Sequence, residues 1–421
     1  MKLIRPRKLR DQAVAVPGSK SISHRMLICA CLCDGVSKIY NLLESEDIKL
    51  TMKTLRLMGA GIEKKQDSYF QVSGFAKNPA EVKEDIYLGN SGTSMRLLAG
   101  IAALGTGVYT LTGNERMQER PMMELIDALN SLGIKTWSDS PSGTPPVHIK
   151  PAKIKGGKVK IDCSRSSQYL SSLLMMGPLL ENGLDISLDS PPVSSPYIDL
   201  TMDIMKRFNV RAFRKTPTSF HVPANQSYVP GNFHVEPDLS NAGYFWGAGA
   251  VLKSMIWVEN ISSDSMQGDL KQVNILEQMG CRVEMKNNKI GVCGTDRLSA
   301  IEADMSDTPD AVPAIAVVAA FAQGNTKIFN VGHLREKECD RIDAVCSQLA
   351  KMGITTSQGT DWFEIQGGKP AGPAQIETFN DHRIAMAFSI AGLKIPGIAI
   401  ENETCVEKSF PDYWKVFDGL E

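Results

Sequence analysis

Lys20, Arg25, Arg120, Arg341, Arg383 and Lys408 stand at or beside the starts of expected helices, and Asp310 and Glu338 share the second half of the chain with three of them. The free N–H groups and dipole of a helix N-terminus already favour negative charge, so a cation there makes a seat for a phosphate or a carboxylate. Binding an anion needs no carboxylates, whereas moving a proton does. Asp310 and Glu338 among cations could serve as an acid–base pair with opposed pressures on their pKa values.

Each seat has its own turn. Pro17-Gly18-Ser19-Lys20-Ser21 leads from a short apolar strand into a helix over 22–33 that Ser19 or Ser21 can cap, with Arg25 one turn along. Gly89-Asn90-Ser91-Gly92-Thr93 lets backbone N–H groups approach a ligand, with Thr93 as the expected cap and Arg96 beyond it. Arg116 and Arg120 lie in a loop closed by Pro121, expected at the first helical position, and arginine suits bidentate binding of an oxyanion. Ser166-Ser167-Gln168 places neutral donors ahead of another helix, and Ser194-Ser195-Pro196-Tyr197 forms a similar turn. In the second half Asp238, Asp310 and Asp381 replace the serines and glycines. There Arg335 to Arg341 would ordinarily read as a solvated charged run.

Two families of helices position these residues. The first ends in Gly or Asn C-caps at Gly59, Gly133, Asn209, Gly280 and Gly353, at intervals of roughly 70–75 residues, and each member carries one apolar face. The second alternates with it (Met95–Leu104, Tyr169–Leu180, Ala242–Leu252, Ala311–Ala322, Ile384–Ala391) and is small or apolar almost all round, so other elements must enclose it. The repeating unit is strand, enclosed helix, strand, half-exposed helix, strand, strand, used six times. Three units per half predict two similar domains, with Val229-Pro230-Gly231-Asn232 near the change-over. Enclosed helices packed in parallel would bring their polar starts to one face, and two such faces opposed would form a cleft.

At 421 residues the chain is too long for one ordinary core. With 43% hydrophobic and 22% charged residues it reads as a soluble globular protein. Its net charge of -1 provides no global field for nucleic acid or acidic lipid. The nine cysteines show no disulfide framework, and Cys29, Cys31 and Cys33 cannot converge on a metal from one helix. Buried, reduced thiols and the absence of a signal peptide point to the cytoplasm. The apolar run Ala311–Ala322 is interrupted by Pro313 and is short of a membrane span.

In order along nearly the whole chain, these motifs resemble the 5-enolpyruvylshikimate-3-phosphate synthase family, the 3-phosphoshikimate 1-carboxyvinyltransferases. The matching residues are Pro17-Gly18-Ser19-Lys20-Ser21 with Arg25, Gly89 to Thr93 with Arg96, Arg116 with Glu119-Arg120-Pro121, and Ser166-Ser167-Gln168. They continue with Ser194 and Pro196-Tyr197, Pro309-Asp310-Ala311, Lys337-Glu338 with Asp340-Arg341, Asn380-Asp381-His382-Arg383, and Lys408. The resemblance implies an α/β (α+β) fold of two domains, each of three βαβαββ units with enclosed helices (an inside-out α/β barrel type), and an active site in the interdomain cleft. It places residues 1–17 with 236–421 in one domain and 18–235 in the other.

The reaction so implied transfers the enolpyruvyl group of phosphoenolpyruvate to the 5-hydroxyl of shikimate 3-phosphate and releases phosphate through a tetrahedral intermediate. The resemblance assigns shikimate 3-phosphate to Lys20, Ser21, Arg25, Ser166, Ser167, Gln168, Ser194, Tyr197, Asp310 and Lys337. Phosphoenolpyruvate falls to Lys20, Asn90, Gly92, Arg120, Gln168, Arg341, His382, Arg383 and Lys408. Asp310 would handle the 5-hydroxyl proton and Glu338 would protonate the methylene carbon, with Lys20 also catalytic. It implies no metal, no organic cofactor, and no nucleic-acid or membrane partner, in a monomer. His24 and His333 stand where many or some members have asparagine, and Leu97 where many have proline.

Other readings fit less well. The related UDP-N-acetylglucosamine enolpyruvyl transferases carry a loop cysteine where this chain has Glu115. A P-loop needs glycine before the lysine, and here Ser19 precedes Lys20. A non-catalytic anion-binding repeat protein would tolerate loss of the Asp310 and Glu338 carboxylates.

Overall fold

The computed structural model describes residues 1–66 and 69–421. The chain divides into two compact units, one of Met1–Pro17 with Glu236–Glu421 and one of Gly18–Val235. Each has its own apolar core.

In the Gly18–Val235 unit the helices are α1 (Lys20–Cys31), α2 (Glu46–Leu57), α3 (Gly92–Ala102), α4 (Met123–Ser131), α5 (Gln168–Met176) and α6 (Pro196–Arg207). In the other they are α7 (Leu239–Leu252), α8 (Lys271–Gln278), α9 (Val312–Ala319), α10 (Arg341–Lys351), α11 (His382–Gly392) and the short α12 (Tyr413–Asp418). Nearly every residue of α1, α3, α5, α7, α9 and α11 is buried, whereas α2, α4, α6, α8 and α10 bury one face. The enclosed set packs on itself, α3 on α1 and α5, and α11 on α7 and α9. Small residues make that approach possible: a Cβ on Gly100 of α3 would stand 2.5 Å from Ser172 Oγ of α5.

Among the described residues, five of the six sheets repeat one four-stranded plan. In each of the five, a first strand runs parallel to a second, the second pairs antiparallel with a fourth, and the fourth with a third, as in Ile86–Tyr87, Tyr109–Thr112, Val147–Lys150 and Lys135–Ser138. A parallel pair requires a helical crossover, and in four of the sheets the enclosed helix is that connection. Two strands are exchanged along the chain. Gln12–Val14, which precedes α1, pairs with Ile256–Val258, and Asn232–His234, which precedes α7, pairs with Lys38–Tyr40. The last sheet has three strands, in which Lys2–Leu3 pairs antiparallel with Ile400–Ala399 in place of a terminal hairpin.

Helix ends differ from the sequence expectation by a few residues, and three caps are corrected. Ser19 precedes α1 in extended conformation without a side-chain cap, and Ser21 lies inside the helix. Ser91 rather than Thr93 caps α3, accepting from the Ser94 N–H at 3.4 Å. Pro121 stands ahead of α4 rather than at its first position, because Met122 (φ −138°) is not yet helical. All nine cysteines are free thiols. Among the described residues no helix is long and apolar enough to cross a membrane.

Candidate active site

In the Gly18–Val235 unit the starts of the enclosed helices adjoin. Gln168, the first residue of α5, donates to Thr93 Oγ1 of α3 at 3.0 Å and accepts from Arg96 Nη1 at 2.9 Å. Arg25 of α1 donates through Nε to Thr201 Oγ1 at 2.7 Å and through its terminal nitrogens to Ser171 Oγ and the Ser21 and Tyr197 carbonyls. The guanidinium is 1% exposed, and these four acceptors are all neutral. Burial therefore pulls its pKa down to about 10, which leaves it charged at neutral pH. A cation buried among hydroxyls and carbonyls keeps its charge available to an arriving anion.

Lys20 is buried against Asp47 of α2, Nζ to Oδ2 3.2 Å. Arg120 donates to both the carbonyl and Oδ1 of Asn90 at 3.1 Å. Its guanidinium lies across Gly92, where an added Cβ would come within 2.5 Å of Nη2 and the arginine would have to shift. Ser166 Oγ accepts from the Gln168 N–H at 3.3 Å, and Ser167 is buried beside it. Ser194 adopts φ +53°, and its buried Oγ has no partner among the described residues. Its carbonyl accepts from the Tyr197 N–H at 3.1 Å.

The other unit gathers its residues around one guanidinium. Arg341, at the first position of α10 and 1% exposed, donates from Nη1 to Asp310 Oδ1 at 2.8 Å, from Nη2 to Glu338 Oε2 at 2.7 Å and from Nε to Asp381 Oδ2 at 2.8 Å. Asp310 also accepts from Arg383 Nη2 at 2.6 Å, and Arg383 reaches the Tyr244 hydroxyl of α7 at 3.3 Å. The starts of α7, α9, α10 and α11 thus meet in one network. Asp381 caps α11 through the Arg383 N–H, and Asp238 caps α7 through the Asn241 N–H, both at 2.9 Å. Both Asp310 oxygens accept from arginines. Burial works against the Arg341 charge, yet Asp381, Glu338 and Asp310 together hold its pKa well above the ordinary value. His382 is fully buried, with Nδ1 3.4 Å from Asp381 Oδ1. Lys337 is half-buried just ahead of Glu338, and Lys408 is buried at the end of the 3-10 turn Glu403–Lys408, which packs on α11.

Four contributors were not expected from the sequence. Asp47 and Thr201 sit on the inner faces of half-exposed helices, where spacing alone marks only packing. Tyr244 lies in the second turn of the largely apolar α7. Asp269 stands at the start of an expected half-exposed helix, but it is buried in the turn Gly268–Leu270 and its Oδ2 accepts from Ser240 Oγ at 2.6 Å. Burial, then the Asp310 charge, raises the Asp269 pKa to about 7.

The folded carboxyl therefore stays neutral up to about pH 7, while the unfolded one ionises near pH 4. Its contribution to stability is complete below about pH 4 and is lost as pH rises toward 7. Asp269→Asn keeps an oxygen for Ser240, so thermal melts should show the variant gaining on the parent at pH 8 relative to pH 4.5. An equal difference at both pH values would refute this account.

The arrangement gathers cations and neutral donors at helix starts in one unit, and two arginines that hold three carboxylates in the other. Comparison with known proteins agrees with that chemistry. The family profile of EPSP synthase (3-phosphoshikimate 1-carboxyvinyltransferase) matches residues 4–417. The chain is 41% identical over 411 residues to the 3-phosphoshikimate 1-carboxyvinyltransferase of Methanocaldococcus jannaschii, covering 97% of this chain and 95% of that protein. It is 39% identical over 408 residues to the enzyme of the same name from Syntrophobacter fumaroxidans, covering 97% and 96%. The solved EPSP synthase of Acinetobacter baumannii superposes with a TM-score of 0.83 at 28% identity, over 99% of this chain and 97% of that one. Shared sequence along almost the full length and a shared fold lead to one conclusion: the chain belongs to the EPSP synthase family.

Proposed function

We infer that this enzyme transfers the enolpyruvyl group of phosphoenolpyruvate to the 5-hydroxyl of shikimate 3-phosphate and releases phosphate, in the shikimate route to aromatic amino acids. The observation that carries the division of labour is the Arg341 guanidinium, which holds Asp310 on one nitrogen and Glu338 on another. Two carboxylates fixed to adjacent nitrogens of one group can act on neighbouring atoms of a single reacting pair.

Asp310 accepts the proton of the 5-hydroxyl as its oxygen attacks C2 of phosphoenolpyruvate, and Glu338 delivers a proton to C3. In the tetrahedral adduct, loss of a C3 proton and departure of phosphate from C2 restore the enol ether. Ser21 and Arg25 hold the shikimate carboxylate. Ser166, Ser167, Ser194 and Lys337 take its phosphate, with Gln168 and Tyr197 against the ring. The unpartnered Ser194 Oγ fits that role, since a buried hydroxyl is costly without a partner. Asn90, Gly92, Arg120, Arg341, His382, Arg383 and Lys408 surround phosphoenolpyruvate, and Lys20 stabilises charge on the transferring group. Fixed donors aimed at developing charge supply most of the rate enhancement.

Phosphate release tests the reading. Incubation with both substrates should liberate inorganic phosphate, and either alone should give none; no release with both would reject the function.

A further inference from the structure

Arg214 lies on the strand Phe213–Thr216, at a slip in its pairing with Ser219–Val222. Arg214 stands opposite Phe220 and Thr216 opposite Ser219, which leaves Lys215 between them unmatched. Such a bulge re-aims the side chains beside it. The Arg214 guanidinium lies 5.1 Å from the centre of the buried Phe220 ring and reaches the start of α6. There it donates from Nη1 to Ser195 Oγ at 3.0 Å and from Nη2 to Asp199 Oδ1 at 2.8 Å. A serine directly ahead of a helix ordinarily turns its hydroxyl onto the first free N–H groups. Ser195 makes no such bond, and its oxygen accepts from Arg214 instead. One residue earlier, Ser194 has φ +53°, a conformation that a residue with a Cβ keeps only where its surroundings impose it. The turn held in this way presents the buried, unmatched Ser194 hydroxyl.

We propose that Arg214 is a positioning residue for the phosphate of shikimate 3-phosphate: by clamping Ser195 and Asp199 it holds the Ser194 hydroxyl where that phosphate binds. The proposal rests on the assignment of Ser194 to the phosphate made above, and Arg214 acts through the turn rather than by contact with the substrate. Its planar guanidinium spans one acceptor ahead of α6 and another in the first turn, and so fixes the two against each other. As an ion pair alone, Arg214 and Asp199 would contribute little, since their side chains are 27% and 38% exposed. The second bond is what sets the pair apart, because it falls on the residue covalently joined to Ser194.

Arg214→Met keeps an apolar stem over Phe220 and removes both donors. In steady-state assays its KM for shikimate 3-phosphate should rise about three- to tenfold, the value of one hydrogen bond to a charged group partly lost. The KM for phosphoenolpyruvate and kcat should stay within about twofold of wild type. Shikimate, which has the same ring and carboxylate but no phosphate, should bind the variant and wild type equally in direct titration. Arg214→Lys keeps the charge but cannot span both acceptors, so it should rescue only part of the loss. Ser195→Ala removes the same bond from the other side and should raise the same KM. An unchanged KM for shikimate 3-phosphate would overturn the proposal while leaving the function standing, as would an equal weakening of shikimate. No phosphate release by wild type would reject the function and this inference together. Should Arg214→Met fail to fold, Ser195→Ala decides, since an unmoved KM there overturns the proposal.

Discussion

Arg341→Met should melt far below the parent and lose turnover. The substitution leaves Asp310, Glu338 and Asp381, now joined by the Arg341 guanidinium, facing one another in a site where Asp381 is fully buried. Removing one partner from a buried ion cluster costs about 3–5 kcal/mol, because the remaining charges are left uncompensated. For a unit of this size that corresponds to a fall of roughly 10 °C. The deficit should be present throughout pH 6 to pH 8. Arg341→Lys restores the charge but cannot reach three carboxylates from one point, so it should lie between the two. Thermal melts across that pH range check the argument, and a methionine variant within a degree or two of wild type would contradict it.

Glu338→Gln separates chemistry from architecture. The glutamine oxygen still accepts from Arg341 Nη2, so the network and the fold should survive. In the mechanism proposed above, what disappears is the proton for C3 of phosphoenolpyruvate. Affinity for either substrate should stay within a few-fold, and turnover should fall by about 100-fold or more. The measurements are calorimetric Kd values beside steady-state kcat. Near-normal kcat would remove Glu338 from the proton path, and a large loss of affinity with kcat intact would recast it as a binding residue.

Much of this was legible before any coordinates. The C-cap glycines at regular intervals and the apolar-all-round helices gave the repeat, because burial on every side leaves no polar face in the sequence. Motif order gave the family and the candidate residues. Less visible were the partners. Nothing near Arg25 in sequence points to Thr201 or Ser171, and nothing near Arg341 points to Asp310 or Asp381. These contacts join residues from 31 to 176 positions apart.

The sequence by itself therefore determined which elements form, which are enclosed and which residue types gather at their starts, since periodicity and capping are local properties of the chain. Only the tertiary structure decided that Gln12–Val14 and Asn232–His234 exchange sheets, and that Arg25 is ringed by neutral acceptors while Arg341 is ringed by acids. Charge state and strand pairing depend on what lies across space. Both are set by burial and by neighbours that the linear order does not record.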